Sequence, residues 1–303
     1  MVLSNNINAL IYKSKKRINV ENLIRLGVAD SNHTCVVIDT GVAPHIDYCL
    51  GRNRVFAFVD LVNDKSYMYD DNGHGTFVTG VICGCSLTDK YGGIDNKCNI
   101  IGIKALTHDG NSDTDTILRA INWVYKNAKK YNIKVVCMSF GSVLDNYNDP
   151  LMKAVEVLWD SGIVVVCAGG NSGPSPSTIM SPGACRKIIT VGSVVCDSSG
   201  CKVADFSSRG PVGNYYKPDI VVPGVDVIST AVFGIEKKFY TSMTGTSVSA
   251  PIVAGVVSLL LRVNPNYTPD QIKTMLISAC VPIDGDRNSE GYGFLDLSKI
   301  KVL

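Results

Sequence analysis

Apolar residues in this chain fall into short unbroken runs separated by longer, more polar stretches. Such runs cover residues 34–39, 56–62, 100–106, 134–138, 163–167, 187–194 and 219–222. Most are rich in Val and Ile and end at glycine or polar turn residues, the pattern of strands buried on both faces. Helical patterns lie at 77–83, 113–131 and 149–159, with a shorter one near 20–26. Strands alternating with helices predict an α/β fold, a mostly parallel sheet covered on both faces. No repeat, low-complexity tract or linker interrupts the pattern. Residues 31–303 therefore read as one domain, and residues 1–30 as a polar, basic arm expected to be solvated.

One helix differs from the others. From Ala250 to Leu261 almost every position is apolar, so this helix is expected to be buried on all sides. Gly245 and Thr246 suit a tight turn before it, and Pro251 is expected within its first turn, where proline is tolerated. Ser247 then stands at a helix N-terminus, whose field stabilises negative charge. A capping serine looks the same in sequence. In parallel sheets, ligand sites gather at the carboxyl ends of the strands. Asp39 ends one run, Ser139, Phe140 and Gly141 follow another, and Ala168 leads into Gly169, Gly170 and Asn171 after a third.

Composition narrows the class. The 303 residues are 46% hydrophobic and 18% charged, with a formal net charge of +2. That describes a globular chain with a large core and offers no argument for nucleic acid, membrane or acidic partners. No apolar run is expected to span a bilayer, and the N-terminal stretch has no secretory h-region. The 11 cysteines include no C-x-x-C pair and no zinc spacing. Cys196 and Cys201 flank the turn at 197–200 and face each other across a hairpin. With no leader visible, a reducing cytoplasmic location is expected, and both are expected as free thiols.

Three residues must be weighed together. Asp39 ends an apolar run, His74 heads an apolar helix after Asp71-Asn72-Gly73, and Ser247 heads the buried helix. Histidine is the usual base for activating a serine, and a carboxylate fixes its tautomer and stabilises its cation. The order Asp, His, Ser with these flanks resembles the subtilisin-like serine proteases, or subtilases. The matching motifs are VIDTGV around Asp39, DDNGHGTFVTG around His74, SFG at 139–141, AGGNSGP around Asn171 and GTSVSAP around Ser247. SSRGP at 207–211 and KPDIVVPG at 217–224 add to them.

The resemblance implies the subtilisin-like three-layer fold and a serine endopeptidase acting through an acyl-enzyme on polypeptide substrates. It makes Asp39 the orienting carboxylate, His74 the base and then the acid, Ser247 the nucleophile and Asn171 the oxyanion-hole amide. Thr246 reinforces that hole. Ser139, Phe140 and Gly141 with Ala168, Gly169 and Gly170 become the segments that line the pocket and pair with substrate. Met180 falls where many relatives carry glycine at the pocket base, which implies an apolar P1 residue of limited size. No cofactor is implied for the chemistry. A structural calcium is common in the family, with Asp47 and the loop 88–95 as its sources here, although Lys90 works against that loop. The short arm at 1–30 stands where secreted relatives carry a long pro-domain. Phe77, Val248 and Ile252 depart from the family pattern: Phe77 and Ile252 are expected only to pack, while Val248, where methionine is common, removes an oxidisable thioether beside the nucleophile and implies resistance to peroxide there.

Overall fold

The computed structural model describes residues 11–29, 33–49, 52–86, 91–144 and 148–302. Helices α1 (Ile11–Arg17) and α2 (Val20–Arg25) lead to strand β1 (Thr34–Asp39). Next come α3 (Ile46–Cys49), β2 (Val55–Asp60), α4 (His74–Cys83), β3 (Asn99–Lys104), α5 (Thr114–Asn127) and β4 (Ile133–Met138). They are followed by α6 (Pro150–Asp160), β5 (Val164–Ala168), β6 (Ile189–Cys196), β7 (Cys201–Val203) and β8 (Ile220–Pro223). A hairpin of β9 (Val227–Thr230), helical turn α7 (Phe233–Glu236) and β10 (Tyr240–Met243) runs straight into α8 (Thr246–Val263). The chain closes with α9 (Pro269–Ser278), β11 (Cys280–Val281), α10 (Arg287–Glu290) and β12 (Phe294–Leu295).

One 10-stranded sheet runs β11-β12-β8-β6-β5-β4-β1-β3-β2, with β7 paired on β6. Only the β6–β7 and β11–β12 pairs in it are antiparallel. From β1 the chain builds β2 and β3 on one side, then crosses over to β4 on the other. Strand order therefore reverses between β1 and β4, the crevice at which doubly wound sheets bind ligands. Helices α4 and α8 pack on each other and on the sheet, while α5 packs on α6, which lies against β5. The result is a three-layer α/β fold.

Helix α8 is the spine of that core. Of its residues only Ser247 and Val263 are not buried. Truncating a fully buried residue such as Leu260 to alanine costs about 2–5 kcal/mol, since its neighbours cannot collapse fully into the space. By length and composition α8 is in fact apolar enough to cross a bilayer, contrary to the sequence reading, but 89% of it is buried inside the protein. Phe77 and Ile252 are core residues as expected, and Val248 is buried as well.

Several expectations are corrected. The basic segment is not a solvated arm: it forms α1 and α2, and Ile18, Val20 and Leu23 are fully buried. Leu297 N–H donates to Ile18 O, and Asn19 Nδ2 to Asp296 Oδ1, tying this segment to the C-terminal region. Residues 1–10 of the arm lie outside the described residues. Cys196 and Cys201 are joined in a disulfide, not free, because the antiparallel β6–β7 register sets them opposite each other. Strand β2 stops at Asp60, short of residue 62, since the Asp60 carboxylate accepts the Val62, Asn63 and Lys65 N–H groups and turns the chain.

Candidate active site

Asp39 ends β1 with no exposed surface, so its carboxylate must find donors within the protein. Its Oδ1 accepts Thr40 N–H at 2.8 Å and lies 2.7 Å from His74 Nδ1. That contact assigns the ring proton to Nδ1 and leaves Nε2 as the free nitrogen. Burial alone would lower the His74 pKa. The Asp39 charge and hydrogen bond, helped by the Asp70 charge, more than offset it and hold the pKa above the ordinary value.

The helix carrying His74 begins at His74 itself, as expected of the residue heading that apolar run. Gly73 caps it at φ 101°, a left-handed conformation that a side chain resists, and Asn72 Oδ1 accepts His74 N–H at 3.1 Å. The exposed donors of this first turn are met by Asp70, which accepts Gly73 N–H at 2.8 Å and Thr76 N–H at 2.8 Å. Asp70 and the buried Lys104 are the functional-site residues that the sequence reading missed. A lysine inside the apolar strand NIIGIK was the available signal for the second.

Ser247 lies in the first turn of α8, the one partly exposed position before a wholly buried run. Asn171 Oδ1 accepts Thr246 N–H at 2.9 Å and the Thr246 hydroxyl at 3.0 Å, and Thr246 Oγ1 in turn accepts Gly170 N–H at 3.2 Å. With its oxygen so engaged, the Asn171 amide presents Nδ2 to the cleft. A Cβ built on Gly245 would lie 3.1 Å from Ser247 Oγ and 3.2 Å from Asn171 Nδ2, so the two atoms border one small space. Pro251 falls inside the helix beyond its first turn, where it deprives the Ser247 carbonyl of its helical donor. Among the described residues, Ser247 Oγ makes no hydrogen bond to His74. The two side chains head helices packed on each other, and such contacts commonly tighten only with substrate bound.

The segments after β4 and β5 also come together. Ser139 is buried, Phe140 is half-buried against the core and Gly141 is exposed. Ala168, Gly169 and Gly170 are buried, and Met180 N–H donates to Gly169 O at 3.0 Å. The Met180 side chain fills the space between the two segments. A Cβ on Gly170 would lie 2.7 Å from Met180 Cγ, and one on Gly141 2.7 Å from Met180 Cβ. Ser142 and Ser181 then exchange both backbone hydrogen bonds at 2.9 Å and close the far end of the slot.

Asp47 does not join this site. It is buried under the hairpin, with Oδ1 accepting the Tyr240 hydroxyl at 2.9 Å, His45 Nδ1 3.8 Å away, and Oδ2 unpartnered. Burial raises its pKa. No group of three His, Cys, Asp or Glu suited to a metal occurs among the described residues. Of the loop 88–95, residues 88–90 lie outside the described residues. The residues described do not by themselves form a calcium cage.

Comparison with known proteins agrees with this geometry. The subtilase family profile matches residues 30–294. Serine protease AprX of Bacillus subtilis (strain 168) is 37% identical over 90% of this chain and 67% of its own length. The major intracellular serine protease of the same organism is 28% identical over 90% of this chain and 83% of its own. The solved structure of Sphericase superposes with a TM-score of 0.76 at 26% identity, covering 94% of this chain and 97% of that one. Subtilases need no cofactor for their chemistry. A profile match over nearly the whole chain, on a three-layer α/β fold shared with a subtilase-like solved structure, places this protein in the subtilase family of serine endopeptidases.

Proposed function

We propose that Asp39, His74 and Ser247 act as a catalytic triad on extended polypeptide, with Asn171 Nδ2 and the Ser247 N–H as oxyanion donors. The observation that carries this reading is the 2.7 Å contact between His74 Nδ1 and the buried Asp39 carboxylate. As Ser247 Oγ attacks the scissile carbonyl carbon, its proton passes to His74 Nε2 and the imidazolium is stabilised by Asp39. Charge developing on the carbonyl oxygen meets the two donors and the positive end of α8. Collapse breaks the C–N bond, His74 returns the proton to the leaving amine, and water then hydrolyses the acyl-enzyme by the same steps. A fluorophosphonate probe is expected to label the protein stoichiometrically and to fail on Ser247→Ala. Labelling that persists in Ser247→Ala refutes the assignment.

Substrate backbone pairs with the glycine-bearing segments 139–141 and 168–170 as an added strand, which leaves the P1 side chain pointing at Met180. What supports an apolar P1 residue of limited size is the Met180 side chain lodged between Gly141 and Gly170. A positional-scanning peptide library reads this directly, and preference for Arg or Asp at P1 contradicts it. A cytoplasmic location is favoured by the intracellular relative and opposed by the Cys196–Cys201 bond. Thiol alkylation of protein isolated without reductant decides between them.

A further inference from the structure

We infer that Asp70 is a positioning residue for the His74 base, a second buried carboxylate that locks the first turn of α4 onto the end of β1. This inference rests on the triad reading above and assigns a part to a residue outside the triad.

The Asp70 side chain is nearly fully buried and accepts five hydrogen bonds. Its Oδ1 takes the Thr40 hydroxyl at 2.9 Å, Asn72 N–H at 3.1 Å and Gly73 N–H at 2.8 Å. Its Oδ2 takes Thr76 N–H at 2.8 Å and the Thr76 hydroxyl at 2.7 Å. These donors bracket His74 along the chain on both sides. Thr40 directly follows Asp39, and its Oγ1, while donating to Asp70, accepts Gly75 N–H at 2.9 Å. One carboxylate thus grips the neighbours of both the acid and the base. The fit is close, because a Cβ on Gly75 would lie 2.1 Å from Gly41 O and 3.0 Å from Asp39 Cβ. Lys104 closes the other side of the same corner, its buried Nζ donating to Thr40 O at 2.6 Å, Asp71 Oδ1 at 2.7 Å and Leu106 O at 2.9 Å.

Asp70 makes no hydrogen bond to the imidazole, so it acts through backbone placement and through its field. The charged groups around His74 are Asp39 on β1, Asp70 and Asp71 in the loop before α4, and Lys104 on β3, which pairs with Asp71. The first turn of α8 and strand β9 carry none. Burial pulls the His74 pKa down, and the Asp39 and Asp70 charges raise it. Loss of the Asp70 charge therefore moves the protonation of His74 to lower pH.

The test compares the full chain with Asp70→Asn on a chromogenic peptide amide, counting competent sites with a fluorophosphonate. The expected result is a roughly 10- to 100-fold fall in kcat per labelled site with KM within about twofold. The acid limb of kcat/KM is expected to move to lower pH. A purely structural role lowers the melting temperature or the fraction of labelled sites, and leaves kcat per site and the acid limb where they were. That outcome overturns the inference. Where Asp70→Asn does not fold, Thr40→Val removes the hydroxyl that links Asp70 to Gly75. It is expected to lose about tenfold in kcat, with Thr40→Ser restoring the parent value, and equal rates in those two variants refute the role. A parent protein that no probe labels overturns the triad reading and the role of Asp70 with it. A labelled parent whose Asp70→Asn variant is kinetically unchanged overturns the Asp70 inference alone.

Discussion

Helices α4 and α8 each hold one side chain of the proposed triad in the first turn, His74 and Ser247, and the N–H groups there are met by different chemistry. At α4 the carboxylate of Asp70 takes the Gly73 and Thr76 N–H groups, beside the Asn72 amide oxygen on His74, while at α8 the neutral amide oxygen of Asn171 takes the Thr246 N–H. Each choice suits the charge that develops beside it. In the proposed mechanism a carboxylate near His74 stabilises the imidazolium formed as the base takes up its proton. In the same proposal a neutral acceptor at α8 leaves the positive end of the helix uncompensated where the oxyanion forms, and frees the amide hydrogens of Asn171 to bond it. Two N-terminal turns of one scaffold are thereby tuned to opposite charges.

That comparison breaks most sharply at Asn171. Asn171→Ala is expected to lower kcat by about 10²- to 10³-fold with KM nearly unchanged, the magnitude for loss of one oxyanion donor. Asn171→Asp keeps an acceptor for Thr246 but adds charge at the wrong helix, and is expected to be slower still. Steady-state kinetics on one peptide amide checks both, and an aspartate variant as fast as the parent ends the argument from charge.

A second contrast lies between two buried histidines. His33 Nε2 lies 2.9 Å from Ser258 Oγ, whose hydroxyl donates to Asp95 Oδ2 at 2.7 Å. Burial takes the His33 pKa down to about 4, Asp95 opposes the shift, and Arg262 and Lys134 add to it. With the folded pKa below the unfolded value of about 6.5, its contribution is intact above pH 6.5 and is lost as pH falls toward 4. The loss amounts to about 3 kcal/mol. Melting temperature measured between pH 7 and 4 is expected to fall, and less steeply in His33→Gln. An unchanged slope in that variant removes His33 as the cause. At His74 the sign is opposite. The base works only when neutral, and its raised pKa places the acid limb of kcat/KM above the ordinary histidine value.

The smallest expected effect is at Met180. Met180→Gly empties the slot between Gly141 and Gly170, and is expected to raise kcat/KM for a P1 Phe substrate relative to a P1 Ala substrate by about tenfold. A ratio that stays constant means the Met180 side chain does not meet P1.

Much of the site was legible because each motif is local. Asp39 at a strand end, His74 beside glycines, Asn171 after a glycine pair and Ser247 heading an apolar helix each carry their signal within a few residues. Asp70 was not legible, since the first aspartate of Asp-Asp-Asn-Gly reads as an ordinary turn residue. Only its five donors, brought in from Thr40 and from both sides of His74, distinguish it. The fully buried Lys104 is of the same kind: its partners on Thr40, Asp71 and Leu106 converge by folding alone.

From the order of its residues, then, this chain determined its alternation of strands and helices, its parallel sheet and the types of side chain at the strand ends, because burial period and turn chemistry are short-range properties. Tertiary structure decided the rest. It set the packing of the N-terminal segment, the bond between Cys196 and Cys201, and the convergence of donors on Asp70 and of acceptors on Lys104. Those outcomes depend on which distant groups occupy the same space, and distance through space has no counterpart in distance along the chain.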